Sequence, residues 1–254
     1  MYSANRGSPH RSGSKSLDGR LIDKGNIRYH LDNAQKQLEQ IQLSGKFKGS
    51  IICTPELFAE FMMMVVGNYI SDGVLIEGTS LWKRKIGKKV ASEKLTATIK
   101  SSDRRIVVGE KYTSDGFRTE DLPLIEKGVL KNFKIGLYAA KKTKKPVSKN
   151  SSMDLVVKPG TSSLEKMIAS VKKGLIVGGF SGGQPSTNGE FSGVAKNSYY
   201  IENGKIKGAV SEVMINGNLG QALKDIRAIS SEYVADGGMV VPYVLMDGIV
   251  VSGK

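Results

Sequence analysis

The feature that most constrains the fold is a series of short alternating segments in the last two thirds of the chain, separated by glycine turns. Alternation of apolar and polar residues is typical of half-buried strands. Asn203-Gly204, inside SYYIENGKIKGAV, is typical of the type I′ turn between two antiparallel strands. The pattern therefore predicts an α+β protein dominated by a large antiparallel β-sheet, with few short helices. The predicted strands include 50–53, 94–100, 104–112, 128–140 and 154–158.

Helix signals are fewer. Thr54-Pro55-Glu56 combines an N-cap, a proline at the first helical position and an acid, and the helix that it starts is predicted to run to Gly67. That helix is apolar on nearly every side, so we expect it to be buried. A first helix is predicted from the spacing of Leu31, Ala34, Leu38 and Ile41, and it should end at Gly45. A second short helix should begin at a Ser162/Glu165 capping box and end at Gly174. A last helix is predicted over 221–229, followed by two final strands around Asp247-Gly248.

Soft metal ligands are scarce in this sequence. His10 and His30 are the two histidines and Cys53 is the one cysteine, which excludes a Cys/His zinc site and an internal disulfide. A histidine triad would need one of two imidazoles far from any glycine-rich nucleophile turn. The first 20 residues have no apolar core typical of a signal peptide, and the longest apolar run, 61–66, is too short for a bilayer. We therefore expect a soluble, cytoplasmic protein with no membrane contact.

Positive charge is concentrated in one block. Residues 83–149 hold 19 Lys/Arg and 7 Asp/Glu, which accounts for +12 of the net +14. Such a block can bind nucleic acid or an acidic partner. The favoured alternative is a set of lysine-rich solvent faces, because lysine outnumbers arginine and base recognition prefers arginine.

Two loops could bind a ligand. The glycine-rich segment 178–193 could let a backbone approach a ligand, or it could simply join two strands. In SDGFRT, Asp115 and Arg118 could orient a substrate, although an ion pair that locks the turn is the commoner explanation. No spacing singles out a carboxylate pair for catalysis. The residues alone therefore indicate a basic, β-rich protein without a visible catalytic set.

Three longer segments resemble a known family. They are SDGFRTEDLPLIEKGVLKNFKIGLYAAKK, LEKMIASVKKGLIV followed by GGQPSTNGEFS, and SYYIENGKIKGAVSEVMINGNL. In order and spacing they resemble the C-terminal half of the TldD/PmbA family of zinc peptidases, also called modulators of DNA gyrase. The resemblance covers about residues 45–254. It implies a C-terminal domain of the TldD/PmbA type.

The same resemblance identifies where family zinc ligands would fall. Catalytic relatives carry His-Glu-x-x-x-His on the buried helix and a cysteine near the C-terminus. Alignment through EGTSLWKRKIGKKV places the histidines at Met63 and Asn68, the glutamate at Met64, and the cysteine near Asp236. Cys53 lies elsewhere. A thioether, an amide and a carboxylate are not a zinc ligand set, so we predict no catalytic residue, no metal ligand and no cofactor in this chain, with zinc only in a partner subunit.

The resemblance therefore implies a PmbA-like subunit, a pseudoenzyme that pairs with a TldD-type subunit or with itself as a dimer. The family's activity implies proteolysis of unfolded or flexible peptides. A β-rich groove can take an extended peptide by strand addition, and Gly182, Gly183 and Gln184 are the candidate peptide-binding residues. The alternative function is nucleic-acid binding by the 83–149 lysines.

The domain prediction follows from composition and from the family. Residues 1–25 are polar and aperiodic and are predicted to be a flexible lead. Residues 26–80 are predicted to be a helical linker region with the buried helix, and 81–254 a β-rich C-terminal domain. Family members carry an N-terminal α/β domain before this region, and we expect it to be absent from this chain.

Overall fold

One mixed sheet of 14 strands organises the computed structural model, which describes residues 27–107, 109–183 and 185–254. The strands are β1 (Gln40–Ile41), β2 (Lys46–Cys53), β3 (Ala97–Ile99), β4 (Leu122–Glu126), β5 (Val129–Leu130), β6 (Leu155–Val157), β7 (Lys173–Val177), β8 (Gly179–Gly183), β9 (Glu190–Lys196), β10 (Ser198–Glu202), β11 (Lys205–Val210), β12 (Val213–Asn218), β13 (Ile226–Ala235) and β14 (Met239–Ser252). The helices are α1 (Ile27–Lys36), α2 (Pro55–Val65), a π-helical turn (Val66–Ile70), α3 (Asp72–Ile76), α4 (Leu137–Thr143), α5 (Leu164–Ala169) and α6 (Leu219–Lys224). The predicted α+β class is confirmed.

The long strand β14 is the centre of this sheet. Its 14 residues give it four neighbours, with β2 and β6 along one edge and β12 and β13 along the other. From β2 the sheet continues through β7, β10 and β11 to β1, and from β12 it continues through β9 to β8. Strand β2, from the predicted helical linker region, therefore shares one sheet with the strands that follow residue 81.

Most of the pairings are antiparallel, as expected, but three are parallel. These are β1 with β11, β14 with β6, and β2 with β7. Parallel neighbours need long crossover connections. The path from β2 to β7 supplies one, because it passes through α2 and more than a hundred further residues before it returns.

The hairpin between β10 and β11 is as predicted. Its two strands pair antiparallel, and Asn203 and Gly204 have φ values of 50° and 73°. Positive φ at both central residues is the requirement of a type I′ turn.

The C-terminal strands differ from the prediction. The two strands expected around Asp247-Gly248 are one continuous strand, β14, whose register against β2 shifts between Met246 and Ile249. Asp247 accepts a hydrogen bond from Ser50 Oγ at 2.6 Å, and Gly248 has a φ of 85°. The Asp-Gly pair therefore forms a bulge within a strand and not a turn.

The first and last predicted helices are shorter than expected. Helix α1 ends at Lys36, so Leu38 is exposed and Ile41 belongs to β1. Helix α6 occupies Leu219–Lys224, and Ile226 starts β13 where the prediction extended the helix to residue 229. The Ile226–Ala235 segment pairs with β14, and this tertiary pairing outweighs a weak local helix signal.

Two predicted strands are wrong over much of their length. The described residues of 104–112 form a turn and an irregular loop, apart from one isolated bridge between Tyr112 and Arg118. Arg105 pairs with Asp103 through two hydrogen bonds of 2.8 Å and stacks over Tyr233. Of the run 128–140, Val129–Leu130 is a strand and Leu137 begins helix α4. In these two segments the alternation of apolar and polar residues arises because one side of a loop is buried, and it does not indicate a paired strand.

The start of helix α5 also differs from the prediction. The N-cap is Ser163, whose Oγ accepts from Lys166 N at 3.2 Å, and not Ser162. The second partner comes from β13, where the Glu232 carboxylate accepts from Leu164 N. Gly174 does not end the helix, because it already lies in β7.

Helix α2 forms the core together with the sheet. Thr54 Oγ1 accepts from Leu57 N at its start, and α2 packs against β14. With the π-helical turn and α3 it forms a run, Pro55–Ile76, long and apolar enough to cross a membrane by length and composition. Its Leu57, Phe58 and Phe61 side chains are fully buried in the protein, which is the arrangement of a core helix.

Candidate functional site

One side of α2 and of its π-helical turn is left uncovered by the core. Met63, Met64 and Asn68 are half-buried and Gly67 is exposed, whereas Val65 and Val66 between them are buried. Glu60 lies one turn earlier on this side, and its pKa is raised by desolvation and then by repulsion from Glu56. The structure thus places the positions matched to the family's two histidines and glutamate together on one accessible stripe.

The glycine-rich segment lies against the same helix. Phe180 in β8 and Phe191 in β9 pack on Phe61, with ring centroids 6.2 Å and 5.5 Å away. Asn68 Nδ2 donates to the Pro185 carbonyl oxygen at 2.6 Å. The loop that follows β8 is therefore bound directly to Asn68 of the π-helical turn.

Tyr69 fixes the far end of this loop. Its ring is buried, and a Cβ atom added to Gly189 would lie 2.3 Å from its hydroxyl oxygen. Gly189 has a φ of 85°, and its carbonyl accepts from Leu219 N at the start of α6. The glycine at this position lets the loop pass close over the phenol.

Strand β8 offers an open edge beside the stripe. In the described part of the chain β8 pairs with β9 alone, and Ser181, Gly182 and Gly183 are exposed. An edge strand presents unpaired backbone N–H and C=O groups. Gln184, the third predicted peptide-binding residue, lies outside the described residues.

Asp236 lies at a different point, the tip of the hairpin between β13 and β14. Its Oδ1 accepts from Gly238 N and from Met239 N, both at 2.9 Å, which locks the turn. Within the described residues no hydrogen bond or ion pair joins Asp236 to Met63 or Asn68.

The side chains at the three matched positions do not fit a zinc ion. Met63 offers a thioether, Asn68 an amide whose nitrogen is already bound to a carbonyl, and Asp236 a carboxylate engaged in its turn. Zinc prefers thiolate, imidazole and carboxylate donors arranged around one point. Across the described ranges no group of three or more His, Cys, Asp or Glu side chains could hold a metal. Cys53 is fully buried, and burial raises the pKa of its thiol.

A second concavity opens on the other side of the π-helical turn. This cleft has a volume of about 390 Å³ and is bounded by the turn, the SDGFRT loop and residues 147–151. Asp115 Oδ2 accepts from Leu137 N, so its carboxylate holds the start of α4, and no ion pair with Arg118 is found in the described part of the molecule. The predicted ion pair between Asp115 and Arg118 is therefore wrong, and the partner of Asp115 is the backbone N–H of Leu137.

Two charged residues of this cleft, Asp72 and Lys134, had no signal in the sequence pattern. Asp72 accepts from Gly136 N at 3.0 Å, and Lys134 Nζ donates to the Ser151 carbonyl at 3.1 Å. Desolvation lowers the pKa of Lys134, opposed by the charges of Glu110 and Asp72. Asp72 and Lys134 are 62 positions apart, and only the fold brings them to one cleft.

Comparison with protein families gives one match over most of the chain. The profile described as the PmbA/TldA metallopeptidase C-terminal domain matches residues 44–253. Among curated proteins, a metalloprotease of Methanothermobacter thermautotrophicus is 28% identical over 242 residues, covering 83% of this chain and 51% of that protein. A metalloprotease PmbA homologue of Haemophilus influenzae is 26% identical over 189 residues, covering 73% and 42%. The chain spans about half the length of these relatives.

Solved structures give the same fold. A candidate modulator of DNA gyrase from Bacteroides thetaiotaomicron has a TM-score of 0.82 and 27% identity, and the match covers 92% of this chain and 54% of that one. TldE from Thermococcus kodakarensis has a TM-score of 0.78 over 92% of this chain and 57% of that one, and at 22% identity it supports the fold alone.

Proposed function

The chain belongs to the PmbA/TldA metallopeptidase family, whose C-terminal domain it matches, and on that premise we propose that it is a PmbA-like, non-catalytic subunit of a cytoplasmic TldD/PmbA-type metalloprotease. In this role it contributes a peptide-binding face and pairs with a zinc-bearing TldD-type subunit or with a second copy of itself. The substrate is an unfolded or flexible peptide.

The observation that carries the proposal is the chemistry of the uncovered stripe on α2. The sequence resemblance matches the family's two histidine ligands to Met63 and Asn68 and its glutamate to Met64, and these three side chains lie on this stripe. Asn68 uses its amide nitrogen to hold the loop after β8. On this alignment the residue matched to a family histidine supports the glycine-rich segment, which favours a substrate-guiding role over a catalytic one.

The open edge of β8 supplies the binding mode. A peptide that adds as a further strand forms main-chain hydrogen bonds with little dependence on its sequence, which suits flexible substrates of varied composition. Exposed Ser181, Gly182 and Gly183 leave this edge free of bulky side chains.

Hydrogen exchange tests the binding mode on the chain itself. We expect a neutral, unstructured peptide to slow amide exchange in 179–183, because strand addition pairs these groups. The hairpin of β10 and β11 is the internal control and should exchange unchanged. Peptide binding without protection of β8 would contradict this groove, and one tightly held zinc per chain in elemental analysis would contradict the non-catalytic role.

A further inference from the structure

A basic loop, residues 83–89, directly follows Trp82 in the segment after helix α3. It carries five cations in seven residues, and the sequence from 79 to 92 contains no acidic residue. All seven loop residues are exposed, including Ile86, which is 45% exposed. Within the described residues none of the five cations forms an ion pair. The basic loop therefore concentrates uncompensated positive charge around an apolar side chain. The cations are Lys83, Arg84, Lys85, Lys88 and Lys89.

The basic loop is held in place by backbone hydrogen bonds. Gly87 N donates to the Leu130 carbonyl and Val90 N donates to the Gly128 carbonyl, both at 2.8 Å. Gly87 has a φ of 76°, which lets the chain reverse. A charged surface with a fixed backbone loses less conformational freedom when a partner binds.

Tyr69 links the basic loop to the glycine-rich segment. The Trp82 ring, directly before the basic loop, stacks on Tyr69 with centroids 4.7 Å apart, and Ser80 Oγ donates to the Tyr69 carbonyl. The hydroxyl of the same tyrosine lies against Gly189. Tyr69 therefore contacts both Trp82, at the base of the basic loop, and Gly189, in the loop after β8.

We propose that the basic loop is an accessory binding surface that selects flexible peptides carrying acidic residues next to apolar ones, and guides them to the edge of β8. The inference rests on the proposed function, because it specifies the substrate class of that same face. Lysine and arginine attract carboxylates along the peptide, and Ile86 gives an apolar side chain a surface to cover. Attraction of this kind also raises the rate of encounter.

The composition of the loop favours a peptide over nucleic acid. Single-stranded nucleic acid binding combines basic grooves with aromatic side chains on which bases stack. The one aromatic ring at this loop, Trp82, is 6% exposed and already stacked on Tyr69. Four of the five cations are lysines, which act as point charges and not as the bidentate fork that reads bases.

Binding of labelled peptides tests the proposal. Three unstructured peptides of equal length, which differ only in carrying Glu, Gln or Lys at alternate positions between leucines, are titrated with the full chain by fluorescence anisotropy. The triple variant Arg84→Gln, Lys85→Gln, Lys88→Gln removes three charges from the basic loop. The triple variant Lys172→Gln, Lys205→Gln, Lys207→Gln is the matched control, because it removes three exposed charges near β7 and β11. A single-stranded oligonucleotide of the same charge as the Glu peptide is the fourth probe.

We expect the Glu peptide to bind about tenfold more tightly than the Gln peptide, and the loop variant to weaken it about fivefold. The control variant should change it less than twofold. Equal affinity for the Glu and Gln peptides, or equal loss in both variants, would overturn the inference and leave the β8 groove standing. Loss of Gln-peptide binding altogether is the separate failure of the proposed function. Tighter binding of the oligonucleotide than of the Glu peptide would also overturn the inference and assign the loop to nucleic acid.

Discussion

Because Gly189 approaches Tyr69 closely and leaves no space for a methyl group, we expect Gly189→Ala to destabilise the protein. In Gly189→Ala the new Cβ would lie 2.3 Å from the phenol oxygen, with the Asn218 amide oxygen 3.2 Å away. Gly116 provides the matched control, since it has nearly the same φ, 83° against 85°, and no atom within 4 Å of its Cβ position.

The two substitutions share one cost and differ in the other. A left-handed backbone with a Cβ costs about 1 kcal/mol, so Gly116→Ala should lower the free energy of unfolding by about that amount. Gly189→Ala adds an overlap in a packed region, which costs about 2 kcal/mol more. For a domain of this size each kcal/mol lowers Tm by about 2 °C. We therefore expect Tm losses of about 2 °C and about 6 °C.

Urea and thermal unfolding followed by circular dichroism measure both values. Tyr69→Phe removes the overlapping oxygen, so the double variant with Gly189→Ala should recover about 1 kcal/mol relative to additive behaviour. Equal losses for Gly189→Ala and Gly116→Ala would show that Tyr69 does not hold the glycine-rich loop.

Three further predictions concern other contacts. The Arg105 hydrogen bonds lower the pKa of Asp103 to about 2, so the stabilisation from its charged form is present above about pH 4 and is lost as the pH falls through 2. The difference in urea midpoint between the unsubstituted protein and Asp103→Asn should therefore be larger at pH 6 than at pH 3. A difference that is the same at both pH values would contradict the role of this ion pair. Asn218→Ala should lower stability by about 1–2 kcal/mol in urea unfolding, since its side chain caps α6 and donates to the Asn188 carbonyl, whereas Asn132→Ala, which loses one exposed hydrogen bond, should cost less than half as much. The thiol of Cys53 is fully buried with a raised pKa, so it should react with a thiol reagent only after unfolding, and rapid reaction of the folded chain would contradict the buried position.

The parts of the fold that local chemistry determines were predictable. Thr54-Pro55 started α2 and Asn203-Gly204 formed the hairpin turn, because a cap and a pair of positive φ values depend on residues within one turn. Where tertiary pairing competes with local preference, the predictions from local sequence were wrong. Ile226 joined β13 because β14 was available beside it, and Asp247-Gly248 became a bulge because Ser50 and the Asp225 carbonyl satisfy Asp247.

The candidate site was predictable in part for the same reason. The apolar helix with Met63 and Asn68 could be located from its spacing and from the family resemblance. The contact of Asn68 with Pro185 spans 117 positions, and the stack of Tyr69 on Trp82 depends on how the loop after α3 returns. Such contacts follow from packing of distant segments, which no periodicity in one segment reports.

On the proposed function, this chain supplies a binding face while a zinc-bearing partner supplies the chemistry. The direct measurement is a titration of a histidine-bearing TldD-type subunit from the same source with this chain, following cleavage of an unstructured peptide. We expect a cleavage rate that rises and saturates near an equimolar ratio, with no cleavage by this chain alone. A flat response, or cleavage by this chain without the partner, would contradict it.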